Sequence, residues 1–381
     1  MNGSEKKIIL HMGTEKTGST AIQHVLDRNR MLLSEFGIRF PESAGSHINH
    51  TYLSVYAQDD DVFDNIKAHV LASLKMDIGQ FRHWFEQQLS TEFSEGKRWR
   101  TSVLSTELIH SRITRPVEVE RLSYLLSNFA GDIQILIFLR RQDELALSRY
   151  STAIRAGYGR FNGVFENNIS AQAYFSLPSD RVINDYRDYY DYRNVIERMS
   201  DIFGPDTIKV ALYPDSFGQG GLVRYFSSML GIDPDLLQHG DAKLNNAMSA
   251  EAQFVMASAN SAGKMWKTNG ERNLDMKELQ REIEAVFPGS PRQVPRDDAR
   301  SFTERFADSN EWVRARYFPE RKTLFSTDYV HYPESIDYSV FSSRLAKHAE
   351  AYSERASQLT RKTNPLHLRF MERFLGRSLR V

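Results

Sequence analysis

Eight residues, Gly13-Thr14-Glu15-Lys16-Thr17-Gly18-Ser19-Thr20, link a short apolar run to an amphipathic one. A glycine-bearing turn at a helix start aims several backbone N–H groups at one spot, where the helix dipole adds roughly half a positive charge. Such a spot takes an anion, and Lys16 supplies an ammonium inside the loop. Gly13, Gly18 and Thr20 fit the nucleoside-triphosphate pattern G-x-x-x-x-G-K-[ST], but Ser19 stands where that pattern has its lysine. A second constellation pairs Arg140, at the end of an apolar run, with Ser148 eight residues on. The forked donors of a guanidinium, joined by a hydroxyl, suit a second phosphate; the arginine also fits as a partner of Asp143 or of nearby carbonyls. Glu107 closes a third apolar run, with His110 three residues beyond it. His11 immediately precedes the loop region and either finishes the strand or touches a bound substrate. His47 and His50 form H-x-x-H without a third ligand at suitable spacing, so no metal is expected.

The elements that must hold these residues follow from hydrophobic period. Lys7 to Met12 reads as a strand that stops at Gly13, and a helix starts at Ser19 with its apolar spacing continuing to Leu33. Thr101 to Leu104 and Ile133 to Leu139 read as buried strands, each leading to a helix, over Val117 to Phe129 before the second and Gln142 to Ala156 after it. Asp185 to Phe203 is helical and closes at Gly204; a strand over Thr207 to Leu212 and a helix from Gly221 to Leu230 follow. Strands alternating with helices predict an α/β fold, a doubly wound parallel sheet flanked by helices, with ligands at the carboxyl ends of its strands. Residues 1–240 form this core, interrupted by a mostly helical insertion at about 41–98 that caps the sheet edge. Residues 241–381 are expected to be a helical extension packed on the core.

Composition narrows the function. The 381 residues carry 49 Lys+Arg and 49 Asp+Glu, a formal charge of zero that disfavours a nucleic-acid partner. No cysteine is present, which excludes disulfides, thiolate metal sites and a cysteine nucleophile. With 41% hydrophobic residues but no apolar run near the length of a membrane span, the chain reads as a soluble, cytoplasmic protein. The segment from Leu366 to Leu379 sets Phe370, Met371, Phe374 and Leu375 among Arg369, Arg373, Arg377 and Arg380. It fits a helix packed on the body with its arginines in water, and alternatively a peripheral contact with an anionic membrane surface.

Taken together, Lys16-Thr17-Gly18-Ser19-Thr20 and the Arg140–Ser148 pair resemble the superfamily of sulfotransferases that use 3′-phosphoadenosine-5′-phosphosulfate. The runs Leu10 to Gly18 and Leu139 to Glu144 are similar to bacterial sulfotransferase-like proteins of the carbohydrate type, and weaker similarity extends over most of residues 7–260. The resemblance implies a P-loop-type core in which Thr17, Gly18, Ser19 and Thr20 hold the 5′-phosphate. It implies that Lys16 lies against the oxygen bridging phosphorus and sulfur, that Arg140 and Ser148 hold the 3′-phosphate, and that no metal is required. It also points to Glu107 as the general base, with His110 in reserve, because carbohydrate-acting relatives use a glutamate near this strand end. The segment bearing His47 and His50 falls near the active-site mouth, which makes these residues, with His11, candidates for acceptor binding. A carbohydrate or glycolipid hydroxyl is the expected acceptor. The family's basic-glycine cofactor loop has only Gly263-Lys264 as a faint counterpart. Two other readings fit the same loop: a kinase or other NTPase with a displaced lysine, and an inert anion-binding module of the same fold.

Overall fold

The computed structural model describes residues 6–45, 48–62, 64–95, 99–157, 189–217, 221–238, 247–265 and 273–363. Five strands, β1 (Lys7–His11), β2 (Ile38–Arg39), β3 (Thr101–Ser105), β4 (Asp132–Leu139) and β5 (Ile208–Leu212), form one sheet in the order β2-β3-β1-β4-β5. Every pairing is parallel. β2 is absent from the sequence reading because two residues cannot display a period. The chain builds the β2 and β3 side first and then crosses β1 to lay down β4 and β5, so β1 sits where the winding reverses. Ligands of open parallel sheets bind at such a point, outside the carboxyl ends of the strands.

Both faces of the sheet are apolar. Ile9, Val103, Leu136, Phe138 and Ala211 join one core with Ile22, Val25 and Leu26 of α1 (Ser19–Arg28) and Phe226 of α10 (Gly221–Leu230). The alternate residues Ile8, Leu10, Leu104, Ile135, Ile137 and Leu139 are equally buried and by strand period turn to the opposite face. The sheet-bearing unit also holds α6 (Leu108–Arg112), α7 (Pro116–Ser127) and α9 (Tyr192–Phe203), with α9 packed on α7, while α8 (Gln142–Arg155) follows β4 in the chain. The single helix expected from Ser19 to Leu33 breaks at Asn29, where α2 (Arg30–Glu35) begins. The Asn29 amide donates to the Val25 carbonyl (2.7 Å) and to Gln238 O (3.2 Å), while its Oδ1 accepts from Gln238 N (2.9 Å). These bonds compete with continued helix, as asparagine side chains commonly do.

The insertion after β2 is helical as expected, with α3 (Thr51–Ala57), α4 (Asn65–Leu74) and α5 (Ile78–Ser94). Asp64 and Asp77 start the last two by accepting from Lys67 N and Gln80 N. Helix α9 starts later than the sequence reading, because Asp191 interrupts after Tyr190 and accepts from Asn194 N (3.2 Å). The residues of that predicted helix before Tyr189 lie outside the described residues.

The expected linear division at about residue 240 differs from the one observed. One compact unit comprises Met1–Leu145, Pro178–Asn245 and Thr303–Thr327; the other comprises Ala146–Leu177, Asn246–Phe302 and Asp328–Val381. Residues 303–327 belong to the sheet-bearing unit, where they meet the buried Asp143–Arg141 pair. Thr303 Oγ1 donates to Asp143 (3.3 Å) and Arg141 donates to the Ser326 carbonyl (3.0 Å). The same unit holds α14 (Ala307–Tyr317), whose Asn310 exchanges amide hydrogen bonds with Gln142.

In the second unit α11 (Ala250–Ala262) packs along α15 (Tyr338–Thr363) and against α12 (Leu274–Val286), and α13 (Arg296–Glu304) begins. Small residues permit the approach: Ser258 and Ser353 hydroxyls meet at 2.8 Å, and a methyl group on Gly263 would lie 2.8 Å from the Ala356 Cβ. Among the described residues no helix is long and apolar enough to cross a membrane. The basic segment from Leu366 to Leu379 lies outside them.

Phe138 is fully buried at the centre of the sheet and touches the rings of His11, Phe217 and Tyr225. Phe138→Ala is expected to lower unfolding stability by about 3–5 kcal/mol, measured by urea denaturation; a loss below about 1 kcal/mol would mean that the site collapses onto the gap.

Candidate functional site

The segments leaving the carboxyl ends of β1, β3 and β4 carry the glycine loop, Glu107 and Arg140, and the one leaving β5 carries Tyr213. β1 ends where Gly13 takes a left-handed conformation (φ 57°), and its backbone continues beside β4, with Thr14 N donating to the Phe138 carbonyl (2.9 Å). Lys16 (φ 66°) and Gly18 (φ 87°) are left-handed too. For a lysine this costs about 1 kcal/mol or more, a form of strain that clusters at ligand-binding loops. Gly18 is the residue before α1, and a side chain there would run into Leu222, because an added Cβ would lie 2.3 Å from the Leu222 Cδ2. Gly13 is similarly confined, its added Cβ falling 2.8 Å from Ser19 Oγ.

The loop encloses polar atoms with an unmet need. Thr14 Oγ1 and Ser19 Oγ are buried and have no hydrogen-bond partner among the described residues. Burying a hydroxyl without a partner is unfavourable by about 1–3 kcal/mol, and a phosphate-type anion in the cradle would satisfy both. Thr17 differs from expectation in one respect: its hydroxyl donates to the Thr14 carbonyl (2.6 Å), so its share of an anion site would come from its N–H. Thr20 is exposed at the second helical position. The N–H groups of Ser19 and Thr20 at the start of α1 have no intrahelical acceptors, whereas Ala21 N donates to the Gly18 carbonyl (2.9 Å).

Arg140 follows β4. Its Nη1 donates to the Lys16 carbonyl (3.1 Å), its Nε pairs with Glu144 (3.1 Å), and its guanidinium lies over the Tyr213 ring at 5.3 Å. The Arg140 carbonyl accepts from Tyr192 Oη. The pairing with Asp143 weighed from sequence belongs instead to Arg141, in a buried fork of 2.7 and 2.9 Å. Ser148 lies on α8 in the second unit, where its carbonyl accepts from Thr152 Oγ1. Gly263 and Lys264 also lie in the second unit; in the first, Arg321 pairs with Asp215 (2.7 Å) just beyond Tyr213.

Glu107 follows β3 and is partly buried beside Gly13, whose added Cβ would lie 3.6 Å from its own. Desolvation raises its pKa, and the Glu15 carboxylate adds to this; its own backbone N–H, the Gln23 amide and the Lys16 charge oppose. Gln23 Nε2 donates to Glu107 Oε2 (3.2 Å). Glu15 is held by Arg112 (3.5 Å) and by Tyr189 Oη, which donates at 3.1 Å.

The histidines take interior positions. His11 is fully buried, its Nδ1 2.9 Å from Ser105 Oγ, and burial lowers its pKa to about 3. His50 is fully buried on the other side of Ser105, where its Nδ1 accepts from Ser105 N (3.0 Å). Its pKa is also lowered to about 3, by burial first and by the nearby Arg30 charge second. Both are therefore neutral imidazoles that hold the end of β3 and have no surface to offer an acceptor. His110, the reserve base, is buried with Nε2–H donating to the Tyr189 carbonyl (3.0 Å), its ring packed on Tyr189. His47 lies outside the described residues.

Gln23, Ser105, Glu15 and Tyr213 are the neighbours that sequence reasoning missed. Gln23 left a legible trace: it is a polar residue on the buried face of α1, one turn after Ser19.

No family model and no curated protein matches the chain. Among solved structures it is similar to a sulfotransferase from Alicyclobacillus acidocaldarius, with 19% sequence identity and a TM-score of 0.39, over 66% of this chain and 92% of that one.

The raised pKa of Glu107 carries a sign. A carboxyl that holds its proton more tightly when folded contributes stability below its unfolded pKa, near 4.3, and loses it as pH rises through the folded value. Glu107→Gln is therefore expected to unfold at higher denaturant than the parent at pH 8, with the gain shrinking as pH falls to about 4. A variant equally stable at both pH values would show that the carboxylate is well solvated.

Proposed function

We propose that this protein transfers a sulfuryl group from 3′-phosphoadenosine-5′-phosphosulfate to an acceptor hydroxyl, most simply on a carbohydrate or glycolipid. The observation that carries the reading is the convergence of three groups at one end of the sheet: Arg140 bonded to the Lys16 carbonyl, and Lys16 close enough to Glu107 to act on its protonation. The unpartnered Thr14 and Ser19 hydroxyls support an anion in the loop between them. The donor would bring an activated sulfuryl group whose bridging oxygen gains negative charge as the S–O bond breaks.

In this reading the N–H groups of Thr17, Gly18, Ser19 and Thr20, with the hydroxyl of Ser19, hold the 5′-phosphate. Lys16 stabilises the charge on the departing oxygen, where a pre-placed cation acts most strongly. Glu107 takes the proton of the acceptor hydroxyl as that oxygen bonds to sulfur, a role favoured by a pKa raised toward the working pH. Arg140 holds the 3′-phosphate; the part of Ser148 in that clamp rests on its eight-residue spacing. No metal has a task in this scheme. The carbohydrate class rests on a carboxylate, rather than an imidazole, at the strand end and on the helical insertion nearby. A cytoplasmic location and the absence of a nucleic-acid partner belong to the same proposal.

Calorimetric titration separates this reading from a displaced-lysine NTPase. 3′-Phosphoadenosine-5′-phosphate is expected to bind more tightly than ATP–magnesium, and Arg140→Ala to weaken it by about 2–3 kcal/mol, thirtyfold to a hundredfold or more. Equal affinity for both nucleotides, or indifference to the substitution, would refute the donor assignment. Glu107→Gln is expected to lower sulfuryl transfer by about 10²–10⁴ with little effect on nucleotide affinity. An inert module would bind nucleotide and show no transfer in the parent protein either.

A further inference from the structure

Gln23 is a polar side chain on the buried face of α1, and it is 2% exposed. Its Nε2 lies 3.2 Å from Glu107 Oε2, 3.2 Å from Ser105 Oγ and 3.4 Å from the Ser105 carbonyl. A carboxylate and a backbone carbonyl only accept, so the amide must turn its nitrogen, not its oxygen, to this cluster. One N–H then goes to Glu107 and the other to Ser105. Ser105 Oγ in turn lies 2.9 Å from His11 Nδ1. The far side of Ser105 is fixed as well, its N–H given to His50 Nδ1 and its carbonyl accepting from His50 N (3.0 Å). The contacts run from Gln23 through Ser105 to His11, and turning the Gln23 amide over would break its bonds to both Glu107 and Ser105.

We infer that Gln23 is the positioning residue for Glu107: it commits Oε2 of the carboxylate and turns the other oxygen to the acceptor hydroxyl. This rests on the base role proposed for Glu107. The charged and titratable groups around that carboxylate are Glu15 and Lys16 of the loop, which act on it directly, and Arg112, which holds Glu15. His11 and His50 bond to Ser105, and His110 to the Tyr189 carbonyl. Beside Glu107's own backbone N–H, Gln23 is the neutral side-chain donor to this carboxylate, and removing it leaves the charges unchanged.

The test uses the full chain with 13C-labelled glutamate, the Glu107 carboxyl resonance being assigned by its loss in Glu107→Gln. In Gln23→Met, which has similar volume and no N–H, acid dissociation of Glu107 is expected to weaken roughly tenfold. The acidic limb of kcat/KM should move up in pH by the same amount, kcat should fall, and KM for the donor should stay. A folded Gln23→Met whose Glu107 titrates as in the parent would overturn the inference. Should that variant fail to fold, Gln23→Glu serves: two carboxylates then share one site, so Glu107 must titrate well above its parent value, and an unchanged midpoint again overturns the inference. The titration needs neither donor nor acceptor. A shifted midpoint in a protein that ignores 3′-phosphoadenosine-5′-phosphate would keep Gln23 in its role and remove the sulfotransferase reading alone.

Discussion

The hydrogen bond from Arg140 to the carbonyl of Lys16 joins the two halves of the site. It ties the residue after β4 to the middle of the loop after β1, at the point where Lys16 is forced into a left-handed backbone. A left-handed lysine is unfavourable by itself, so it persists because its surroundings leave no alternative. Thr14 N and Thr17 Oγ1 fasten the loop on one side of it, and the confined Gly18 fastens it on the other. The parallel sheet beneath makes this possible, because β1 and β4 are adjacent and in register and so deliver Gly13 and Arg140 to the same edge.

Around that bond the electrostatics divide into a neutral interior and a charged rim. His11 and His50 are held as uncharged imidazoles by burial, and their hydrogen bonds to Ser105 lock the end of β3. Glu107 stands one step outward, desolvated enough that its proton is retained to higher pH, yet within reach of Lys16. A carboxylate kept in such a place detracts from stability at neutral pH and gains basicity for proton transfer. Glu15 adds to the effect and is prevented from approaching further by Arg112 and Tyr189. The insertion takes part here, since Asp64 at the start of α4 holds Arg112 from the other side (3.1 Å).

Much of this was legible in the chain. Continuous apolar runs predicted four of the five strands, and Gly13, Gly18 and the helix signal at Ser19 marked the loop, because period and turn chemistry are local. What was not legible depended on contacts distant in sequence. The membership of residues 303–327 in the sheet-bearing unit, where they bond to the Arg141–Asp143 pair, is one such case that no local pattern announces. The histidines illustrate the same limit: the place of His11 before the loop and the family resemblance around His50 suggested acceptor contacts, whereas full burial gives both a structural task. Arg140 and Arg141 adjoin in sequence, yet only the fold decides which of them pairs inward with Asp143 and which faces the loop.

The claim that two anion-binding groups, Lys16 and Arg140, serve opposite ends of one nucleotide is tested most directly by 31P spectra of bound 3′-phosphoadenosine-5′-phosphate. The account predicts that both phosphorus resonances shift on binding, that Lys16→Ala alters chiefly the 5′ signal, and that Arg140→Ala alters chiefly the 3′ signal. Two substitutions that perturb the same resonance, or a nucleotide whose 3′-phosphate keeps its free-solution shift when bound, would contradict it.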